Sequence, residues 1–119
     1  MGWKPNKDRP LCPQICEHIC VEIASGKLQP RQKLDSVRET AMSIGVNPNT
    51  VQRSFETLES KGLLSSVPGS GWYVAGDITP AKQTLDEIIE IKTQNFFSDL
   101  SALGLTCEEI KNYIKEWDE

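Results

Sequence analysis

The first apolar stripe of the chain has helical spacing. Ile15, Ile19 and Ile23 recur every four residues, which places them on one face of a helix over residues 11–25. Gly26 follows and suits the left-handed position at which helices commonly end. The pattern therefore predicts a first helix that buries one side.

A capping box opens the second predicted helix, at residue 35 or 36. Ser36 and Glu39 are three residues apart, so that the side chain of each can pair with the backbone N–H of the other. Gly45 ends this helix, whose buried side comprises Val37, Ala41 and Ile44.

A third helix is predicted directly after a short turn. Asn47 is a favourable N-cap, and Pro48 can occupy the first helical position, because the N–H that it lacks has no partner there. Lys61-Gly62 closes the helix, whose buried stripe comprises Val51, Phe55 and Leu58. Two helices joined by a short turn that contains glycine form the helix-turn-helix pattern, which places its second helix in the major groove of DNA.

Two short apolar runs follow the third helix. They cover residues 63–67 and 72–74 and are joined by Pro68-Gly69-Ser70-Gly71. Aromatic and β-branched residues on both sides of a glycine-rich turn predict a β-hairpin. Because this hairpin comes directly after the predicted recognition helix, residues 11–76 are expected to form a winged helix-turn-helix domain.

The last third of the chain has helical periodicity again. After a linker at residues 77–80, apolar positions recur at helical spacing over residues 81–103, and Gly104 stops that helix. Thr106 and Glu109 form a second capping box that opens a last helix. The predicted fold is mainly α with a small β-hairpin, in three parts: a flexible arm (1–10), the winged domain (11–76), and a linker with a two-helix tail (77–119).

The charge distribution limits the expected strength of DNA binding. The 119 residues carry a net charge of −4. Residues 1–10 hold three basic and one acidic side chain, residues 11–77 hold six and seven, and residues 78–119 hold four and nine. The acid is concentrated in the tail, but the winged domain is near neutral and lacks the strongly basic footprint of many DNA-binding domains.

Composition points to a cytoplasmic protein with no membrane partner. No stretch approaches the roughly 20 apolar residues that span a bilayer, and residues 1–10 lack the apolar core of a secretory signal. Cys12, Cys16 and Cys20 are spaced four apart and Cys107 lies far away, which favours reduced thiols over a disulfide scaffold.

The exposed N-terminal turns of the third helix hold the residues best suited to contact bases: Asn49, Thr50 and Arg53, with Gln52 nearby. Arginine can pair bidentately with guanine, and glutamine with adenine. The alternative is a solvated helix face. Asn47 has two open roles, as an N-cap and as a DNA contact.

Phosphate contacts are expected at the helix starts and at the wing. The hydroxyls of Ser36 and Thr50, with the backbone N–H groups beside them, can hydrogen-bond phosphates with the help of the helix dipoles. Ser70 and Gly71 would allow the wing to approach the DNA backbone closely. Alternatively, the wing glycines serve only to form the turn.

A set of short segments between Gln14 and Val74 forms a specific pattern: Ile23-Ala24-Ser25-Gly26-Lys27-Leu28 with Pro30, Leu34, Ser36-Val37-Arg38-Glu39, Gly45-Val46-Asn47-Pro48-Asn49-Thr50-Val51, Leu58, Gly62-Leu63 and Gly69-Ser70-Gly71. With these segments, the run from Gln14 to Val74 resembles the winged-helix domain of the GntR family of bacterial transcription factors. The two-helix tail is similar to that of the YtrA-like subfamily, whose members dimerise through it.

This resemblance implies a homodimer that binds double-stranded DNA at a palindromic operator and represses transcription. It also implies that Arg38 reaches the DNA, the alternative being a surface salt bridge to Glu39 or Asp35. Dimerisation is expected to involve the apolar positions of the tail: Leu85, Ile88, Ile89, Phe96, Leu100, Ile110, Ile114 and Trp117.

The chain departs from the family pattern at three places. Arg31 replaces the usual glycine after Pro30, and Asp35 replaces the usual proline before the Ser-x-Arg motif. Val67 and Pro68 stand where the wing normally carries basic residues. The contacts of the wing are therefore the part of the interface that the resemblance predicts least well.

Metal, redox and catalytic chemistry have less support. Cys16 and Cys20 have a spacing that can share a metal ion, with His18 close by, but cysteines beside an isoleucine stripe can equally pack as small hydrophobes. With one histidine in the chain and no phosphate-binding loop or hydrolase motif, we predict no enzyme, no catalytic residue, no cofactor and no metal site.

Two alternatives to the DNA-binding regulator remain open at this point. The neutral wing and acidic tail are compatible with a winged-helix protein-interaction module that binds DNA weakly or not at all. The cysteines are compatible with a thiol- or metal-responsive variant of the regulator. The tail aromatics are expected to pack at the dimer interface, the alternative being a site for an unidentified small-molecule effector: Phe96, Phe97, Tyr113 and Trp117.

Overall fold

The structure, a computed structural model, describes residues 2–117. Its elements are α1 (Leu11–Ala24), α2 (Val37–Ile44), α3 (Pro48–Ser60), β1 (Leu64–Val67), β2 (Gly71–Val74), α4 (Thr79–Ala102) and α5 (Cys107–Glu116). The predicted fold class, mainly helical with one small antiparallel hairpin, is confirmed. The chain divides into two compact units between Leu85 and Asp86.

Local side-chain chemistry sets the starts of α2 and α3. Ser36 Oγ accepts the backbone N–H of Glu39 at 3.0 Å, and Glu39 Oε1 accepts the backbone N–H of Ser36 at 2.9 Å, so the predicted capping box is confirmed. Asn47 Oδ1 accepts the N–H of Asn49 at 2.8 Å, with Pro48 at the first helical position. Both helices thus begin where their caps predict.

The core of the first unit lies between the apolar faces of three helices and the hairpin. Phe55, 1% exposed, occupies the buried side of α3 and meets the ring of Trp72 from β2 edge-on, with the ring centroids 5.5 Å apart. The isoleucine stripe of α1, the predicted stripe of α3 and most of the predicted stripe of α2 are buried, together with residues in or next to the hairpin: Ile15, Ile19, Ile23, Ala41, Ile44, Val51, Leu58, Leu63, Leu64 and Val74. Val37, predicted on the buried side of α2, is only half-buried.

The hairpin acquires a third strand-like neighbour that the sequence pattern does not predict. β1 and β2 pair in the register Leu64↔Val74, and Gly71 already belongs to β2, opposite Val67, rather than to the turn. On the other side of β2, Leu34 N–H donates to the carbonyl of Trp72 at 2.9 Å. The paired residues, 32–34, are few and mostly polar. The hydrophobic pattern therefore gives no sign that they form an extended strand beside β2.

Arg31 lies in a backbone conformation that glycine favours. Its φ is +66°, in a turn closed by Gln32 N–H donating to the carbonyl of Gln29 at 3.1 Å. Left-handed backbone costs a non-glycine residue roughly 1–2 kcal/mol. Arg31 therefore keeps the backbone turn that the usual glycine would form, at this cost in conformational energy.

Residues 2–10, predicted as a flexible arm, make specific contacts with α1 in the structure. Gln14 Nε2 donates to the carbonyls of Asn6 and Pro10, each at 2.9 Å. The ring of Trp3 stacks on His18 with the centroids 4.2 Å apart, and Pro5 is buried. The turn-rich composition of residues 2–10 predicts flexibility. It does not reveal these contacts, because the partners Gln14 and His18 lie on the neighbouring helix α1.

The tail helices begin close to the predicted positions. α4 starts at Thr79, inside the predicted linker, and Asp77 Oδ1 accepts the N–H of Thr79 at 2.9 Å. α5 opens with the predicted capping box of Thr106 and Glu109. The structure describes no helix that is both long and apolar enough to cross a bilayer.

Candidate nucleic-acid interface

The face of α3 opposite the core is polar and free at its N-terminal end. Asn49, Gln52 and Arg53 are exposed and Thr50 is half-buried, while Val51 on the other side is fully buried. Within residues 2–117 the guanidinium of Arg53 makes no ion pair. The first turns of α3 therefore present donors and acceptors that no part of the domain uses.

Arg38 is likewise free in the structure. It is exposed on the first turn of α2, and the alternative of an ion pair with Glu39 or Asp35 is absent from the residues described. The carboxylate of Glu39 is instead occupied by Ser36. That backbone hydrogen bond, and then the one with the Ser36 side chain, hold the pKa of Glu39 below its ordinary value.

Ser36 and Asn47 each retain a hydrogen-bond donor after capping their helices. The Oγ of Ser36 acts as an acceptor in the capping box, which leaves its hydroxyl hydrogen to donate. Asn47 caps through Oδ1, and its Nδ2 group has no partner in the part of the chain described. The capping role of Asn47 is thus present in the structure and is compatible with a contact to DNA.

The buried side of α3 is fixed to α1 by a small polar contact that the sequence did not reveal. Ser54 is fully buried, and its hydroxyl donates to the carbonyl of Thr50 at 2.8 Å and contacts Cys12 Sγ at 3.2 Å. Cys16 Sγ lies 3.6 Å from the carbonyl of Ser54. These contacts help to hold α3, and hence its exposed face, in one orientation.

The cysteines of α1 have the environment of packing residues. Burial, and then the neighbouring Cys12 thiol, raise the pKa of Cys16 to about 12. Burial also raises the pKa of Cys20, whose Sγ lies 3.3 Å from the carbonyl of Ala81 at the start of α4. Among the described residues no group of three or more histidine, cysteine or acidic side chains could hold a metal ion.

The wing is attached to α3 through Glu59. Its Oε2 accepts the backbone N–H of Ser66 at 2.9 Å and the Ser66 hydroxyl at 2.8 Å. These hydrogen bonds lower the pKa of Glu59, so the carboxylate is charged at neutral pH and occupies a donor on β1. Sequence analysis missed this residue, because a glutamate on an exposed helix face has no local signal for a contact seven positions away.

The predicted wing residues lie at the tip of the hairpin. Ser70 is exposed, its hydroxyl hydrogen-bonds the Tyr73 hydroxyl, and its N–H donates to the carbonyl of Val67 at 2.9 Å. Gly71 has a φ of +133°, a value that L side chains rarely adopt. The first residue of β2 therefore favours glycine, whether or not the wing approaches a ligand.

The predicted dimerisation residues differ in how much surface they offer. Ile110 is fully buried by the chain itself and has no surface for a partner. Trp117, expected on the face of α5, lies just beyond that helix as its C-cap and is 75% exposed. The remaining residues are exposed or half-buried: Leu85, Ile88, Ile89, Phe96, Leu100 and Ile114.

Comparison with known proteins agrees with this architecture. The family described as bacterial regulatory proteins, gntR family, matches residues 12–74. The HTH-type transcriptional repressor YtrA of Bacillus subtilis is 32% identical over 116 residues, which cover 94% of this chain and 87% of that protein.

Two solved structures are also similar. A GntR family transcriptional regulator from Listeria monocytogenes has a TM-score of 0.83 and 34% identity, covering 96% of this chain and all of that one. The DNA-binding domain of AraR, solved in complex with operator ORE1, has a TM-score of 0.54 and 34% identity, covering 63% of this chain and 93% of that one. This chain belongs to the GntR family of bacterial transcriptional regulators.

Proposed function

We propose that the protein is a homodimeric repressor that binds a palindromic operator in the cytoplasm, with α3 in the major groove. The observation that carries this proposal is the free polar face at the start of α3, where Asn49, Gln52 and Arg53 are exposed. A solvated helix face would be equally polar, but here it is combined with a winged helix-turn-helix frame and the related AraR domain binds operator DNA.

Contacts with bases and with phosphates fall to different residues. Arg53 would read guanine and Gln52 adenine, because their side chains match the hydrogen-bonding edges of those bases. Ser36, Arg38 and the free backbone N–H groups at the start of α2 would bind phosphates and fix the register of the protein on the duplex. At the start of α3 the N–H groups of Asn49 and Thr50 are already bound to Asn47.

The tail supplies the second half of the recognition mechanism. Its exposed apolar side chains, including Ile89 at 53% and Phe96 at 45% exposure, would pair with the same surface of another copy about a two-fold axis. Such a dimer presents two copies of α3 to two half-sites about one helical turn apart, or a multiple of it. Because the winged domain is near neutral, the doubling of contacts supplies affinity that one copy lacks.

Replacement of Arg53 by alanine tests the reading helix. We expect Arg53→Ala to weaken binding to a duplex selected from a randomised library by about 1–3 kcal/mol and to relax base preference at one position of each half-site. Fluorescence anisotropy measures the loss, and Lys82→Ala, a change to an exposed cation at the start of α4, is the control. Unchanged affinity and unchanged base preference in Arg53→Ala would contradict the assignment.

A second candidate function is a protein-interaction module. The observation that favours it is the wing, where Val67 is 46% exposed and no basic side chain is present in residues 64–74. Failure of the protein to enrich any duplex from the library at low salt would favour this alternative over the repressor.

A further inference from the structure

A lysine from outside the hairpin lies along the tip of the wing. The backbone of Lys33 forms an antiparallel β-bridge with that of Tyr73 in β2. Its Cε lies 3.4 Å from the position that a Cβ would take at Gly71. The aliphatic part of the lysine therefore runs along β2 as far as Gly71, where even an added Cβ would be only in ordinary van der Waals contact with it.

The charge of Lys33 is available for an external partner. The side chain is exposed, and it makes no ion pair within the described part of the chain. Its charge is a minor cause of the lowered pKa of Glu39, behind the hydrogen bonds with Ser36. The carboxylate of Glu39 accepts the N–H of Ser36 and makes no ion pair with Lys33 among the residues described.

The side chain of Lys33 lies between the wing and the start of α2. Its Cε, which carries the ammonium group, is close to Gly71, and Lys33 is three residues before Ser36, the N-cap of α2. That start carries Ser36 and Arg38, which are proposed phosphate contacts. An anion held there would also experience the positive end of the α2 dipole.

We propose that Lys33 binds a phosphate of the operator backbone and supplies the positive charge that the wing hairpin itself lacks. The inference rests on the proposed DNA-binding function and adds a residue to it. Lysine suits this role because its ammonium is a compact charge on a flexible stem, which can meet a phosphate without geometric demands. Contacts of this kind position a protein on DNA and carry no sequence information.

The salt dependence of operator binding tests the proposal. Each phosphate neutralised contributes about 0.9 to the slope of log K against log salt concentration. Since a bound dimer would lose two contacts, Lys33→Gln should make the slope less steep by about 1.8. Between 50 and 200 mM salt, the advantage of the unaltered protein over the variant should then shrink about twelvefold. Lys33→Arg keeps the charge and should keep the slope, and Lys82→Gln is the matched control.

The outcomes separate this inference from the function on which it rests. A reduced slope in Lys33→Gln, with unchanged slopes in Lys33→Arg and Lys82→Gln, would support it. An unchanged slope in Lys33→Gln, while Arg53→Ala still weakens binding, would overturn the inference and leave the proposed function intact. A loss of affinity by the same factor at every salt concentration would also overturn it, because that result indicates a structural role. If the unaltered protein binds no selected duplex, both proposals fail.

Discussion

The two units of the chain differ in how they use their apolar side chains. In the winged unit the stripes of α1, α2 and α3 close over one another, and their isoleucines, Phe55 and Leu58 are at most 1% exposed. In the second unit Ile110 is the one buried apolar residue among those described, and large side chains remain in solvent: Ile89, Ile91, Phe96, Leu103, Tyr113, Ile114 and Trp117.

This difference separates folding from assembly. The winged unit completes its core within one chain and leaves a polar face outside, which suits a ligand as polar as DNA. The second unit leaves apolar surface outside, which suits a partner of the same kind. The difference therefore supports the proposal that one unit recognises DNA and the other self-associates. Four experiments test this proposal.

The largest effect is expected from the core of the winged unit. Phe55→Ala should lower its free energy of unfolding by about 3–5 kcal/mol, because a large aromatic leaves a cavity at a fully packed position. Amide hydrogen exchange in peptides from α1 and α3 measures the loss. Phe97→Ala, a half-buried phenylalanine of α4, is the control, and equal destabilisation of α1 and α3 by both variants would contradict the separation of the two units.

The next effect is expected at the surface of the tail. Phe96→Glu should weaken self-association by at least about 2 kcal/mol, or roughly thirtyfold, since it removes apolar burial twice in a two-fold interface and adds buried charge. Sedimentation equilibrium gives the dissociation constant. Asn95→Glu, an equivalent change on an exposed neighbour, should have little effect, and a Phe96→Glu variant that dimerises as tightly as the unaltered protein would remove the tail from the interface.

A smaller effect tests how far the polar face of the winged unit serves the fold itself. Asn47→Ala should cost about 1 kcal/mol of stability through loss of the cap, whereas Asn47→Ser should retain it. Thermal unfolding measures both changes, and anisotropy then shows whether binding follows stability. If Asn47→Ser is stable but binds operator DNA poorly, the amide group of Asn47 contacts the DNA; full binding by this variant limits the residue to capping.

The smallest effect concerns the thiols. With a pKa of about 12, Cys16 is a thiolate in roughly one molecule in 10⁴ at pH 8, and only the thiolate is nucleophilic. Iodoacetamide at pH 8 should therefore modify the exposed Cys107 well before Cys16 or Cys20, as peptide mass spectrometry would show. Operator affinity should be unchanged by that modification. Rapid labelling of Cys16 in the folded protein would revive the thiol-responsive alternative.

Much of the helical framework could be predicted because its signals are local. The capping box of Ser36 and Glu39 and the N-cap at Asn47 act within three residues, so the sequence contains both partners of each hydrogen bond. The buried stripes of α1 and α3 follow from the helical period alone. The exposed residues of α3 could be predicted as well, because they are the positions left on the helix once its buried stripe is assigned.

The contacts that complete the interface could not be predicted in this way. Glu59 binds Ser66 and Lys33 reaches Gly71 because the hairpin folds back onto α3 and onto residues 31–34. The docking of residues 2–10 likewise depends on Gln14 and His18 of α1. In each case the two partners belong to different elements, and neither residue type is unusual in its own segment.

The sequence by itself therefore determined the order of the helices and the hairpin, where the capped helices α2, α3 and α5 begin, and which side of α1 and α3 is apolar. Its physical basis is the short range of capping, turn formation and helical periodicity. Only the tertiary structure decided which apolar residues the chain buries itself, as with Ile110, and which remain exposed, as with Phe96. Burial depends on how distant elements are placed in three dimensions. A helical period is the same for an apolar face that packs against its own chain and for one that stays exposed.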